Sequence, residues 1–232
     1  MHKRFLVLAS VLGGLSAGSA HAVLKATQFD STTGFSGPGE IAPSQNDLLT
    51  GLIETTSAFH DQENLGTDTT AGALTNGQFG PPGLTPAPGP NPEVGIIGSN
   101  QVLTYVLGNG PNGTGYTVSE FRAYSGWQDT GRSRQDFNLL YSTVADPNTF
   151  LPLISVNGTA NTQDELTVVK DDLGGSIPGV YAISFQTPAV VQNGYVGWRE
   201  FDLIGTPTAP EPASFALLGV GALAMVGRRR RA

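Results

Sequence analysis

Short apolar segments separated by glycine, proline, asparagine and aspartate run through most of this chain. Residues 181–186 show the clearest pattern, in which large apolar side chains alternate with small or polar ones, and residues 137–142 are similar. A period of two residues is typical of strands that bury one face. The pattern predicts nine strands, at residues 24–29, 51–59, 101–107, 116–124, 136–142, 150–156, 165–170, 180–187 and 195–204.

The fold class follows from this succession of strands. No segment of the body shows a convincing helical period, and no internal repeat is visible. The 232 residues include 31 glycines and 16 prolines, which indicates many tight turns. Residues 80–92 alone hold six prolines and predict a surface loop. We therefore expect an all-β protein whose body, residues 23–209, is a jelly-roll β-sandwich.

The first 22 residues have the layout of a secretory signal peptide. Basic Lys3 and Arg4 precede an apolar run at residues 5–15, and Ala20-His21-Ala22 supplies the small residues of a cleavage site. The apolar run is too short to span a bilayer comfortably. We expect cleavage after Ala22, so that the mature chain begins at Val23.

The last 23 residues have the layout of a second targeting signal. Pro210-Glu211-Pro212 precedes an apolar segment at residues 213–227, which predicts a marginal membrane helix. A cluster of four basic residues follows it and would remain in the cytoplasm: Arg228, Arg229, Arg230 and Arg231. These three features in this order resemble the PEP-CTERM sorting signal of Gram-negative bacteria. The resemblance implies cleavage near residues 210–212 by an exosortase, a membrane protease.

Removing both ends changes the charge of the protein. The whole chain has a formal net charge of −7, but six of its twelve basic residues and one of its nineteen acidic residues lie in the end segments. The body therefore carries six basic and eighteen acidic residues, a net charge of −12. Such an acidic body argues against nucleic acid as a partner.

The residue types present in the body exclude several kinds of functional site. The absence of cysteine excludes disulfides, thiolate metal sites and a cysteine nucleophile. His60 is the one histidine of the body, which excludes a histidine-rich metal site, and we interpret it as a turn residue. Two kinds of functional site remain possible: a Ca²⁺ site with oxygen ligands, and a glycoside hydrolase site with two carboxylates.

Residues 116–153 form the most informative segment. Two strands flank a polar loop with one aromatic, one acidic and two basic residues: Trp127, Asp129, Arg132 and Arg134. Together with Leu74-Thr75-Asn76-Gly77 and a closing segment at residues 197–205, this segment resembles the discoidin-like, galactose-binding-like sandwich family. The resemblance covers about residues 47–205. It implies a β-sandwich that binds sugars, lipids or proteins on loops at one end.

For the polar loop, the resemblance implies ligand contact. Trp127 would stack on a sugar face, and Asp129, Arg132 and Arg134 would form hydrogen bonds with hydroxyl groups. The alternative is a structural loop, in which Arg132 pairs with Asp129 or Asp136 and Trp127 belongs to the core.

The resemblance also implies a structural Ca²⁺ ion. Its ligands would be oxygen atoms of Asn76, Gly77 and Glu200. Asn76 stands where that family usually has an aspartate.

These observations predict an exported protein of the cell surface or extracellular matrix, held transiently in the inner membrane by its tail. Its partners would be an exosortase-type protease and an extracellular polysaccharide or matrix, which it would bind without catalysis. A structural matrix or biofilm protein without a ligand site is an alternative, and a glycosidase with a carboxylate pair is another.

Overall fold

The computed structural model describes residues 24–55, 72–80, 95–127, 129–158 and 162–209. They form nine strands: β1 (Leu24–Ser31), β2 (Gly95–Gly98), β3 (Val102–Val106), β4 (Tyr116–Gly126), β5 (Phe137–Thr143), β6 (Asp146–Val156), β7 (Asp164–Asp171), β8 (Ile177–Gln186) and β9 (Tyr195–Pro207). Two 3₁₀ turns, Ala73–Thr75 and Gln192–Gly194, are the helical elements of this described part. The signal peptide, the sorting tail and residues 81–92 of the proline-rich loop lie outside the described residues.

The all-β prediction is confirmed, with one predicted strand wrong over its described residues and one strand missed. Residues 56–59 of the strand predicted at 51–59 lie outside the described residues. Residues 51–55 of the predicted strand 51–59 form no strand, because Leu49 and Leu52 are joined by a turn, with Leu52 N donating to Leu49 O. This turn directs both leucines toward the core three residues apart. The missed strand, β2, is only four residues long and has glycine at both ends, which gives it little sequence signal.

All strand pairs are antiparallel, and hydrogen bonds link the strands in the order β1-β7-β4-β8-β5-β6. Off this path, β9 pairs with β4 and β2, and β3 pairs with β8. The link between β4 and β8 has only two residue pairs, Tyr116–Val180 and Val118–Ile177. The strands therefore form two layers, β1-β7-β4-β9-β2 and β6-β5-β8-β3, that meet at one corner.

Aromatic side chains from both layers fill the space between them. Phe137 of β5 and Phe185 of β8 stack with ring centroids 4.8 Å apart. From the other layer, Phe201 and Trp198 of β9 lie 4.4 and 4.8 Å from the Phe185 ring. All four side chains are at most 1% exposed. Burial of such large rings removes much apolar area from water, which stabilises a sandwich without disulfides.

A smaller apolar cluster covers the outer face of the first layer. Tyr124 of β4 and Leu166 and Val168 of β7 pack there against Phe35 and Phe79, which belong to the segments between β1 and β2. The rings of Phe35 and Tyr124 meet edge to face at 5.5 Å. Polar side chains on this face are therefore covered as well.

The sandwich has two distinct ends. The first residue of β1, the first of β4 and the last of β9 lie at the end that we call the terminal end, as the pairs Leu24–Asp171 and Tyr116–Pro207 show. The opposite end, which we call the loop end, carries the loops that follow β4 and β8. The polar loop with the predicted ligand residues lies at the loop end.

Candidate functional site

The polar loop at the loop end begins with a buried tryptophan. Trp127 directly follows β4 and is 3% exposed, and its backbone N–H donates to Gln163 O at 2.9 Å. An indole that is this deeply buried forms part of the floor of the loop. Stacking of its ring on a sugar, as predicted, does not fit this placement.

A guanidinium group occupies one face of this indole. The Arg132 Cζ atom lies 5.0 Å from the centre of the Trp127 ring, within the range of a cation–π contact. Asp129 is exposed, and its Oδ1 atom accepts a hydrogen bond from Gly131 N at 2.7 Å. The loop thus presents a supported cation and an exposed carboxylate within four residues of each other.

Arg134 forms an ion pair within the protein. Its Nε and Nη2 atoms each lie 2.8 Å from Asp136 Oδ2. The other carboxylate oxygen, Asp136 Oδ1, accepts a hydrogen bond from Gly158 N at 2.9 Å. Arg134 therefore ties the polar loop to the neighbouring loop after β6. The ion pair with Asp136 foreseen for Arg132 is made by Arg134.

The turn before β9 holds the backbone of the polar loop. Gln192 donates from Nε2 to Thr130 O, and its Oε1 accepts from Arg134 N at 3.0 Å. Asn193 Nδ2 donates to Gly131 O at 2.9 Å. Sequence reasoning did not identify these two residues. The Asn193-Gly194 pair was a signal for a turn, but its partners lie about 60 residues earlier in the chain.

An open polar groove adjoins the polar loop. It has a volume of about 480 Å³ and is lined by side chains of β1, the following segment and the loop residues near Thr162: Asp30, Ser31, Thr32, Glu40, Thr130, Thr162 and Gln163. Hydrogen bonds from Ser31, Thr33 and the Gly37 amide hold the pKa of Glu40 below its usual value. Asp30 Oδ1 accepts from Thr162 Oγ1 at 2.9 Å.

The residues predicted to bind Ca²⁺ lie together, but their contacts are amide–carboxylate hydrogen bonds. Asn76 N and Gly77 N donate to the two carboxylate oxygens of Glu200 at 3.2 and 3.1 Å. The Asn76 side chain accepts from Gln78 N at 2.8 Å. Amide N–H groups donate hydrogen bonds and do not bind cations, so this arrangement does not fit a calcium ligand set. Within the described residues, no three His, Cys, Asp or Glu side chains are grouped to hold a metal ion.

Three of the enclosed carboxyl groups have raised pKa values. Burial raises the pKa of Glu200 to about 9, of Glu165 to about 8 and of Asp202 to about 7. All three side chains have 0% exposure. Asp202 Oδ2 accepts from Ser44 N at 2.9 Å, and Arg122 Nη1 lies 3.6 Å from it. Glu200 and Asp202 thus hold segments of the fold together, and all three side chains are enclosed.

Solved structures that match this chain are small β-sandwich modules. The CBM32 module of AlyQ, in complex with 4,5-unsaturated mannuronic acid, has 15% identity and a TM-score of 0.43 over 67% of this chain and 96% of that one. A CBM32 module from Clostridium perfringens, in complex with GalNAc-β-1,3-galactose, has 14% identity and a TM-score of 0.45 over 68% and 99%. An F5/8 type C domain from Bacteroides fragilis has 11% identity and a TM-score of 0.40 over 68% and 92%. These modules are of the discoidin-like kind that the sequence resemblance named.

The tail is matched separately from the body. A search of curated protein sequences found no match to this chain. In the described residues, no helix has the length and apolar character needed to cross a membrane, and the predicted helix 213–227 lies outside them. Residues 208–231 match the PEP-CTERM protein-sorting motif, which confirms the identification of the tail from the sequence and indicates export and sorting to the cell surface.

Proposed function

We propose that the protein is an exported surface module that binds carbohydrate at its loop end without catalysis, after an exosortase-type protease has processed its tail. The binding proposal is based on the placement of Arg132. Its guanidinium group lies over the ring of the buried Trp127, beside the exposed Asp129. The adjoining groove is lined by residues with polar side chains, whose carbon atoms supply most of its exposed surface. A sugar, which carries both hydroxyl groups and apolar C–H groups, matches such a surface.

Arg132 and Asp129 supply complementary hydrogen-bonding groups. A guanidinium only donates and a carboxylate only accepts, so the two side chains together can bind neighbouring hydroxyl groups of one sugar. The Trp127 ring restricts the motion of the guanidinium, which lowers the entropy lost on binding. Trp127 thus acts as support for Arg132, and Arg134 supports the loop through Asp136.

A neutral polysaccharide suits the site better than a polyanion. The body carries a net charge of −12, which disfavours the approach of an acidic polymer. At the site itself, the positive charge of Arg132 is offset by Asp129 nearby and by Asp30 and Glu40 in the groove. Neutral sugars that offer vicinal hydroxyl groups are therefore the ligand class that we propose.

The carboxylates that border the groove do not favour glycosidase chemistry. A general acid needs a raised pKa, whereas hydrogen bonds hold the pKa of Glu40 below its usual value. The acids with raised pKa values, Glu165, Glu200 and Asp202, are enclosed and have no access to a sugar. Binding without bond cleavage is the proposal that these placements support.

Binding to the producer's own exopolysaccharide tests the proposal. We expect the purified mature body to be retained on immobilised polysaccharide, and we expect Arg132→Gln and Asp129→Asn each to weaken retention at least about tenfold, because each loses a charge-assisted hydrogen bond. Thermal unfolding should change little in both variants. Lys25→Gln is the matched control, since it removes one positive charge from an exposed side chain at the terminal end.

Two outcomes would count against the proposal. Absence of binding at millimolar concentrations of neutral sugars, on a glycan array and on the polysaccharide, would favour the structural matrix protein. If Lys25→Gln weakened retention on the polysaccharide as much as Arg132→Gln does, the effect would come from the overall charge of the protein and not from a binding site at the loop end. Each measurement is made with and without added Ca²⁺. We expect EDTA to leave both binding and unfolding temperature unchanged, because Asn76, Gly77 and Glu200 are joined by amide–carboxylate hydrogen bonds.

A further inference from the structure

The residue that follows β9 is held by the fold through its backbone. Thr208 N donates to Gly115 O at 2.9 Å. Its carbonyl oxygen accepts two hydrogen bonds, from Asn112 Nδ2 at 3.0 Å and from Thr114 Oγ1 at 2.8 Å. Both backbone polar groups of this residue are therefore engaged by the loop between β3 and β4.

The side chain of Thr208 is held as well. Its hydroxyl accepts from Gly179 N at 3.2 Å and lies 3.0 Å from the hydroxyl of Thr117. We call the five residues that contact Thr208 the Thr208 clamp: Asn112, Thr114, Gly115, Thr117 and Gly179. Two separate parts of the chain, residues 112–117 and Gly179, thus converge on one half-buried residue at the terminal end.

The clamp rests on a loop with a defined shape. Gly115 N donates to Asn109 O at 2.7 Å, and Gly113 N donates to Gly110 O at 3.2 Å. Gly115 has φ +75°, and a Cβ atom on it would lie 2.7 Å from Val180 O. Only glycine can occupy this position without moving the backbone. The loop therefore presents its donors and acceptors to Thr208 in one arrangement.

Thr208 is also the first residue of the matched sorting motif. The segment in which cleavage is proposed, residues 210–212, begins only two residues after Thr208 in the sequence. Extended peptides are commonly bound through hydrogen bonds to their main chain. A protease that cuts near residues 210–212 would need the main chain just before Pro210, where the clamp already occupies the N–H and C=O of Thr208.

We propose that the Thr208 clamp limits tail processing, because Thr208 must detach from it before the protease can seat the chain. This inference rests on the proposed processing by an exosortase-type enzyme. The clamp then sets the rate at which the full-length precursor is converted, and the folded body controls its own release.

Variants in the loop test the clamp without altering the sorting motif. Asn112→Ala and Thr114→Val each remove one hydrogen bond to the Thr208 carbonyl, and the double variant removes both. We expect the double variant to be converted about fivefold faster than wild type in a pulse-chase with intact-mass analysis of the chain. Asn109→Ala is the control, since its backbone carbonyl serves the loop and its exposed side chain does not contact Thr208.

An insertion variant tests whether the protease lacks free chain before the cleavage segment while Thr208 is held in the clamp. Four residues, Gly-Ser-Gly-Ser, placed between Ala209 and Pro210 give the protease free chain while the clamp stays closed. We expect this variant to be converted as fast as the double variant, and the double substitution to add nothing to it. Equal conversion of wild type, double variant and insertion variant would overturn the clamp proposal.

The same experiment separates failure of the clamp from failure of processing itself. Wild-type protein is followed in cells with and without the exosortase. Conversion in the first and not in the second supports the proposed processing, and the rates of the variants then decide the clamp. Conversion in neither, with the Arg228 to Arg231 terminus intact at the surface, would overturn the processing and with it the clamp.

Discussion

Arg134 shows how a charged residue in a polar loop can serve the loop itself. Both of its nitrogen contacts go to Asp136, whose other oxygen holds the amide of Gly158. The Arg134 side chain is 37% exposed and that of Asp136 is 9% exposed, so solvent screens the ion pair only in part. The pair fixes two loops relative to each other at the edge of the proposed binding surface.

Substitution of Arg134 should therefore affect stability more than binding. We expect Arg134→Gln to lower the free energy of unfolding by about 1 kcal/mol, or about 2–4 °C in unfolding temperature, while the affinity for the polysaccharide stays within about twofold of wild type. Thermal unfolding and retention on the immobilised polysaccharide measure the two effects. Lost binding with unchanged stability would instead make Arg134 a ligand contact.

For single residues, the sequence predicted the position of the polar loop but not the environment of its side chains. Composition and spacing singled out the loop between two strands. The burial of Trp127 depends on Gln163, which lies 36 residues further along the chain, and on the packing of the loop as a whole. The exchange of roles between Arg132 and Arg134 depends on side-chain directions that a linear pattern does not contain.

At the scale of elements, alternation of apolar and polar residues was a reliable guide to the strands. It predicted eight of the nine strands within a few residues, because each of these strands contributes side chains to the core or packs side chains against it. It failed at residues 51–55, where an apolar pattern belongs to a turn, and at β2, where two isoleucines between glycines are too short a signal. The pairing of strands could not be read from alternation at all.

The 3₁₀ turn Gln192–Gly194 is the element on which the polar loop depends. Gln192 and Asn193 hold three backbone groups of that loop, and neither side chain lies in the core. We expect the double variant Gln192→Ala, Asn193→Gly to bind the polysaccharide about fivefold more weakly with little change in unfolding temperature. Glycine is chosen at residue 193 because its φ of 48° suits glycine and would strain alanine.

Hydrogen exchange shows whether the loop itself has loosened. The amide of Arg134, which donates to Gln192, should exchange faster in the variant, while amides of β4 and β9 stay protected. Gln101→Ala is the control, since Gln101 also bonds a backbone carbonyl at the loop end but does not contact the polar loop. Unchanged exchange together with unchanged binding would contradict the role that we assign to the turn.

At the scale of the whole molecule, the proposed binding surface and the start of the sorting motif, Thr208, lie at opposite ends of the sandwich. The chain leaves β9 at the terminal end, where Thr208 is clamped, and the polar loop lies at the loop end. Under the proposed anchoring of the tail in a membrane, the loop end would be directed outward, toward extracellular material. The length of the strands therefore separates the proposed binding surface from the start of the sorting motif.

The enclosed acids make the stability of the whole sandwich depend on pH. In the folded protein, burial raises the pKa of Glu200 to about 9, of Glu165 to about 8 and of Asp202 to about 7, whereas the unfolded chain has ordinary values near 4. Between these limits the folded state holds protons that the unfolded state has released. The stabilisation is therefore complete below about pH 4 and is lost as pH rises through 7 to 9.

We expect the unfolding temperature to fall by at least about 5 °C between pH 5.5 and pH 9, since one pKa unit corresponds to about 1.4 kcal/mol. Few other groups titrate in this range, because the body has one histidine and no cysteine. Glu200→Gln resembles the protonated carboxyl in carrying no charge, and its one oxygen can accept from one of the Asn76 and Gly77 amides. Its unfolding temperature should therefore fall less steeply with pH. Thermal unfolding followed by circular dichroism at both pH values measures the difference. A stability that rises with pH, or an equal fall in both proteins, would mean that Glu200 is ionised in the fold and acts as a permanent anion for those two amides.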